Sequence, residues 1–494
     1  MFNFTNSLVE FIFSSYICMM VEHVTDKDKA LQAITDRLSS LEKTVSNQGT
    51  EICRLNRVID QKDKTIHDLK KRLTKYEEPP KDSNNSSIPP TQDTMTNQII
   101  RHTNSLRKKS ERKTGGQPGH DGHFLKKYDN PDFIIEHYPD NVCECCRKSL
   151  ADVEVEIVGT SQIIDIPPIK PVITEHLLYG KRCKCGHMNK CEDSQKYTSR
   201  VSYGKMVKAV IAYLGHTQYI SFKRICEVLH DVFNIEISQG TIQNVLVHMG
   251  KQSENAYREI RDRIEEAEVA GADETGLYAG GEHHWAWIFQ NSSLSYLFQD
   301  KSRGKAATSK HFPNDLPNTT LVTDRHSTYF CMEVKDHQVC IAHLLRNIQY
   351  LTDLDKKQTW STNLTELLQD AIHLRKSKSI DYVKKQSQGF YDRLDRLLSE
   401  CLDSFHEDFN TLKKGLMKCR NFIFTFLTDK NVPYENNGSE RGVRNIKVKQ
   451  KVSGCFRTDD GADIYMKLHS LTDTAKKNGS SRFNVLLTLA NMQK

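Results

Sequence analysis

Nothing in this 494-residue sequence marks it for export or for a membrane. The most apolar stretch, LVEFIFSSYICMMV near the N-terminus, is interrupted by Glu10. It lacks both a basic flank and an A-x-A cleavage pattern, so neither a signal peptide nor a membrane span is read there. Without an export signal, the 14 cysteines are not read as a disulfide scaffold. No internal repeat is found. Charge of one sign is also scarce: 70 Lys+Arg against 63 Asp+Glu leave a net +7, too little to identify a polyanion binder by itself. With 37% hydrophobic and 27% charged residues, the composition is that of a polar globular protein. The length exceeds one compact core and suggests about three domains.

What is present is unevenly placed. From Leu31 the apolar residues Ile34, Leu38, Leu41, Val45, Ile52, Leu55, Ile59, Ile66, Leu69, Leu73 and Tyr76 follow a 3-4 spacing, with Gln48 and Lys62 on the same seam. A heptad pattern this long predicts a coiled coil and hence self-association, the polar seam residues fixing register or oligomer state. Met19 and Met20 directly precede it, which points to translation starting there; native protein beginning at Met1 would overturn that expectation. A Pro/Ser/Asn-rich linker follows from Glu77 to Thr103. Between Arg101 and Lys127 stand eight Lys/Arg and two acids, among them Lys108, Lys109, Arg112 and Lys113. They suit a basic loop on a DNA backbone or, equally, a solvated linker.

Residues 133 to 192 read as short strands around cysteine clusters. From Tyr203 to Met249 three apolar stripes predict helices, the last capped by Ser238. These fit a helix-turn-helix or an ordinary helical bundle. From Ala267 the period turns strand-like through EVAGADETGLYAG, HHWAWIFQ, SLSYLFQD and NTTLVTD, with a hairpin at NSS. About Thr362 to Thr428 is helical again.

Two constellations carry chemistry. Cys143-Glu-Cys145-Cys146 and Cys183-Lys-Cys185-Gly186 form two tight pairs, the usual donor set for structural Zn²⁺. Cys143, Cys146, Cys183 and Cys185 are the favoured ligands, with Cys145, His187 and Cys191 in reserve. The second constellation is three acids. Asp273 is expected to end an apolar strand, Asp324 ends TTLVTD, and Glu440 lies at a helix start in NNGSERGVR. Strand-end Asp and a helical Glu can converge on two Mg²⁺ ions, which prefer hard oxygen ligands. Between Arg441 and Arg457 there are six Lys/Arg and no acid. Arg441, Arg444 and Lys447 fall beside Glu440, in position to bind phosphates. His343 and Arg346 are further phosphate candidates, with a structural role equally open for His343.

The order of GGQPGH, the cysteine cluster, the helical stretch ending SQGTI, then DETG, LVTD, CIAHLLRNI and ENNGSERGVR resembles transposases of the insertion sequence 66 family over nearly the whole chain. That family belongs to the DDE (Asp-Asp-Glu) transposases with an RNase H-like fold. The resemblance implies a catalytic triad of Asp273, Asp324 and Glu440 with Mg²⁺ or Mn²⁺, and a zinc-binding domain. It implies DNA partners (element terminal inverted repeats and target), companion proteins of the element, and a cytoplasmic, nucleoid-associated prokaryotic setting with no membrane partner. This chain has Asp324-Arg325-His326 where the family has Asp-Gly-Tyr, a bulkier residue beside the metal. It has Leu345 where the family places the first of two arginines, so a phosphate contact is expected to be weaker. The non-catalytic alternative is a regulatory DNA-binding protein derived from a transposase; an RNase H-like nuclease or resolvase is a third reading.

The fold class expected is multidomain α+β. Its parts are an N-terminal extension (1–24), a coiled coil (25–77), a basic linker (78–130) and a zinc-binding domain (131–195). They continue with a helix-turn-helix-like region (196–262), the first part of an RNase H-like core (263–350), a helical insertion (351–430), and the last part of the core with the third acid and C-terminal helices (431–494).

Overall fold

The computed structural model describes residues 5–77, 126–192 and 199–492. Most of the basic linker, with Lys108, Lys109, Arg112 and Lys113, lies outside the described residues. Residues Met1–Lys81 form one unit, dominated by a single 73-residue helix, α1 (Thr5–Glu77). Its heptad seam is open: Leu31 is 67% and Ile52 58% exposed. Local pairs such as Arg54 on Glu51 (2.7 Å) add little at an exposed site. A helix with such an uncovered stripe draws its stability from whatever covers the stripe.

Among the described residues of the second unit, Asp82–Lys494, regular structure is sparse before residue 200. Short strands were expected through residues 133–192. Among the described residues there, only β1 (Gly180–Arg182) and β2 (Met188–Lys190) form a ladder, an exposed antiparallel hairpin. Apart from a lone bridge between Val142 and Ser149, the rest lacks strand pairing, and apolar residues such as Ile157 and Val158 stay exposed.

Four helices follow: α2 (Lys205–Ala212), α3 (Phe222–Phe233), α4 (Gln239–Gln252) and α5 (Glu254–Glu265). The expected cap is present, the Ser238 hydroxyl accepting from the Thr241 amide at 3.2 Å. Asn234 closes α3 in the left-handed region (φ 51°), a conformation Asn tolerates.

The sheet comes next. β3 (Val269–Ala279), β4 (Glu282–Gln290) and β5 (Ser295–Asp300) run antiparallel. After the short helix α6 (Lys305–His311), β6 (Leu316–Thr323) lies parallel to β3. Beyond the turn helix α7 (Ser327–Phe330), β7 (Val334–Val339) lies parallel to β6. The order across the sheet is β5-β4-β3-β6-β7. The hairpin at Asn291–Ser293 is where the sequence places it. β7 was not expected: VKDHQV is polar and short, and only its sheet neighbours make it a strand.

Strand alternation sorts the core. Trp287, Phe289, Tyr296 and Phe298 enter one cluster with residues of α2 to α5. Ala286, Ile288 and Leu297 enter another with Val443 and Ile446 of α12 (Asn437–Ser453) and Tyr465 of α13 (Asp459–Lys477). The last helix, α14 (Arg482–Asn491), adds Leu486 and Leu489 to the first cluster. Between β7 and α12 stand α8 (Ile341–Leu354), α9 (Trp360–Ser377), α10 (Ile380–Ser399) and α11 (Glu407–Lys418). They share a third cluster with Val322 of β6 and Val339 of β7. Among the described residues no helix is long and apolar enough to cross a membrane.

Candidate active site

Asp273 does not end its strand. β3 continues to Ala279 and turns into β4 at Gly280 and Gly281, both at positive φ. What ends near Asp273 is the pairing with β6, whose last partner on β3 is Gly271. Past that point β3 has no β6 partner, and the loop after β6 brings in Asp324, one residue beyond Thr323. Glu440 sits in the first turn of α12, where the helix dipole favours a carboxylate.

The acids lie within electrostatic reach. Burial raises the Asp273 carboxyl well above its usual pKa, and the charges of Glu274, Asp324 and Glu440 push it the same way. Asp324 is raised too, by burial and then by Glu274. Hydrogen bonds hold both acids in place: Asp273 accepts from the Glu274 amide (2.9 Å), and Asp324 from the His326 amide (2.9 Å).

The helix carrying Glu440 is pinned to β3 by close contacts. Buried Asn436 donates to the Ala272 carbonyl (2.6 Å) and accepts from the Ser439 hydroxyl (2.7 Å). Gly271 makes this possible, since a Cβ there would lie 2.4 Å from Asn436 Oδ1 and 2.8 Å from Ser439 Oγ. At Gly442 a Cβ would lie 2.2 Å from Ile288 Cδ1, so α12 crosses β4 closely and any larger residue there would have to displace Ile288.

The expected phosphate-binding residues separate into groups. Arg346 donates to Glu440 at 3.0 Å, and Arg444 lies 3.6 Å from its other oxygen. His343 Nδ1 is 3.6 Å from Glu440. Burial, with Arg346 and Arg325 nearby, lowers the His343 pKa to about 3, so the ring is neutral at physiological pH. The Lys447 ammonium donates to the Gly276 carbonyl, and burial lowers its pKa, so it staples α12 to β3. Arg441 is exposed and, with Arg444, Lys476, Lys477 and Arg482, lines a cleft of about 1270 Å³ beside the start of α12.

Three neighbours of the acids escape a reading of the sequence. Glu274 has a side chain only 2% exposed, which takes Arg303 at 2.8 Å and the Tyr329 hydroxyl at 2.5 Å. Arg303 also stacks on Trp285 at 4.4 Å. The adjacency of Asp273 and Glu274 was the available signal, but neither partner of Glu274 is near it in sequence.

The cysteines form two separate pairs. Cys143 is hydrogen-bonded by the backbone and thiol of Cys146, and Cys183 by those of Cys185, which lowers both thiol pKa values. Each pair occupies a tight turn: the Arg147 amide reaches the Cys143 carbonyl (3.0 Å), and the Gly186 amide, at φ 90°, reaches the Cys183 carbonyl (2.8 Å). Among the described residues no three of these sulfurs come within 4.8 Å of one another. The donors are nonetheless those zinc takes, thiols with amides aimed at sulfur.

Comparison with known proteins bears on both constellations. Residues 200–464 match the family model described as "Transposase IS66 family", and residues 140–186 match "zinc-finger binding domain of transposase IS66". Residues 32–126 match a family of unknown function. Over 176 residues the chain is 25% identical to an uncharacterized protein, y4jO, of Sinorhizobium fredii, covering 35% of this chain and 52% of that protein. The chain thus spans about half the length of the curated relative it matches.

Proposed function

The chain belongs to the IS66 transposase family, and from that premise we propose that it binds the ends of its insertion element and carries out metal-dependent DNA cleavage and strand transfer by a DDE mechanism. The observation that carries this is Asp273, a buried carboxyl opposed by three other acids. Such a group is costly unless a cation neutralises it. The donor atoms of Asp273, Asp324 and Glu440 are all carboxylate oxygens, which fit Mg²⁺ or Mn²⁺. Ions held there would activate a water or a 3′-hydroxyl and stabilise the departing oxygen.

The protein's own part is placement. β3 and the β6 loop hold the two Asp, Asn436 holds α12, and Arg346 and Arg444 orient Glu440. Arg346, Arg444 and Arg441 supply cations to the phosphates of end and target DNA, with neutral His343 packed behind Glu440. The order β5-β4-β3-β6-β7, with three antiparallel strands followed by two parallel ones, supports an RNase H-like core, and α9 to α11 are its helical insertion. Cys143, Cys146, Cys183 and Cys185 take a structural Zn²⁺ that draws the two pairs together and gives the segment around them its fold. The open seam of α1 is covered by a second copy in a coiled coil. Companion proteins of the element join the assembly.

The test is joining of a labelled duplex, carrying the terminal repeat that flanks the coding sequence, to a plasmid in Mg²⁺. Wild type is expected to join and Asp273→Ala not to. Equal joining by both removes Asp273 from the metal site. End binding without joining, companion proteins included, favours the regulatory DNA-binding reading instead.

A further inference from the structure

Arg325 follows Asp324 directly, in the loop between β6 and α7. Burial is the main influence on its guanidinium, lowering its pKa from the usual value. Part-buried arginines in this fold ordinarily find a carboxylate, as Arg346 finds Glu440 and Arg482 finds Asp473. Arg325 makes no hydrogen bond, and no ion pair within 4.0 Å, with any described residue. Its charge acts on Asp324, on Cys419 and on His343, which itself packs against Glu440. The guanidinium therefore lies within electrostatic reach of the acid cluster without an ion pair to any of its members. Its seat is shaped from far along the chain: at Gly415, in α11, a Cβ would lie 2.8 Å from Arg325 Nη1.

We propose that Arg325 is a DNA-backbone clamp, its guanidinium taking a phosphate of the strand that lies over Asp273, Asp324 and Glu440, and that Gly415 of the helical layer makes room for it. The proposal rests on the transposase reading. A phosphate gives the planar guanidinium fork two acceptor oxygens and the anionic partner that the protein withholds.

The experiment uses the full chain, with companion proteins, on the same labelled duplex. Neutral methylphosphonates replace, one at a time, the phosphates around the cleavage site. Arg325→Ala is expected to lower joining about 10- to 100-fold, the scale of one charge-assisted hydrogen-bonded contact. Arg325→Lys recovers only part of that, lacking the fork. Gly415→Ala leaves the arginine present but displaces its tip. It lowers joining while melting stays unchanged or rises, because alanine favours a helix interior. At one phosphate the methylphosphonate cripples wild type, and there Arg325→Ala and wild type become equal. In a separate binding measurement, the slope of log affinity against log salt falls by about one for Arg325→Ala.

Wild-type joining and an unchanged salt slope in Arg325→Ala overturn the clamp. So does an equal loss in that variant at every methylphosphonate position. Failure of the transposase reading looks different: wild type itself neither joins nor binds end DNA, and the clamp falls with it.

Discussion

Asp273 sits where folding alone would not place an ionised carboxyl. Its burial and its acid neighbours raise its pKa, so without metal the folded protein is strained at neutral pH. Asp273→Asn keeps the acceptor oxygen that receives the Glu274 amide and removes the charge. In metal-free protein it is expected to raise the melting temperature by about 2–4 °C, the size of roughly 1 kcal/mol in a domain of this kind. On the proposed metal site, the same substitution is expected to abolish joining and to remove any stabilisation by Mg²⁺. A lower melting temperature in Asp273→Asn would mean that the acids are not opposed as described. A second titration is independent of the acids. His469 is buried against Tyr465, and burial lowers its pKa to about 4. The unfolded chain takes up this proton near pH 6.5 and the folded chain only near 4, so stability falls as pH drops through that window. His469→Gln should flatten the slope of stability with pH there by about one proton, or about 1.4 kcal/mol per pH unit. Urea unfolding at pH 7, 6 and 5 reads it; identical slopes would contradict the burial. At this scale the motifs single out Asp273, Asp324 and Glu440, which the fold brings within electrostatic reach of one another. Glu274, Arg303 and Tyr329 could not, since nothing local announces that a strand residue will meet an arginine 29 positions and a tyrosine 55 positions later.

At the scale of elements, the contact of α12 with β3 decides where Glu440 stands. Gly271→Ala puts a methyl into the Asn436–Ser439 hydrogen bond. It is expected to cost about 1–3 kcal/mol, as overpacking does, and to reduce joining even at saturating Mg²⁺. Unchanged melting and joining would show that the glycine is incidental. Periodicity made most elements visible beforehand: β3, β4, β5 and β6, their hairpin, and the Ser238-capped helix. It failed at β7, which owes its strand form to parallel pairing with β6, and over most of the cysteine segment, where β1 and β2 are the only laddered strands among the described residues. It also misjudged where β3 ends, because the β4 partner extends the strand past the acid.

For the whole molecule, the apolar seam of α1 and the two cysteine pairs each imply something added from outside the single chain. Leu38→Glu with Leu41→Glu should turn an associating protein into a monomer by sedimentation, leaving the zinc content unchanged. Cys146→Ser should do the reverse, losing about one zinc per chain while association persists. Loss of both properties in either variant would mean that the two parts are not separately organised. The heptads and the cysteines were legible because each follows a simple spacing rule. The seat made for Arg325 by Gly415 was not, because it joins a loop to a helix 90 positions away and follows no spacing at all.

The repulsion around Asp273 has a further consequence, for the lifetime of the protein in a cell. A fold that divalent ions stabilise by mass action unfolds more often when they are scarce, and unfolded chains are what proteases remove. With Mg²⁺ held at the proposed site, degradation would then follow magnesium supply, so that a cell starved of magnesium would hold less of the protein.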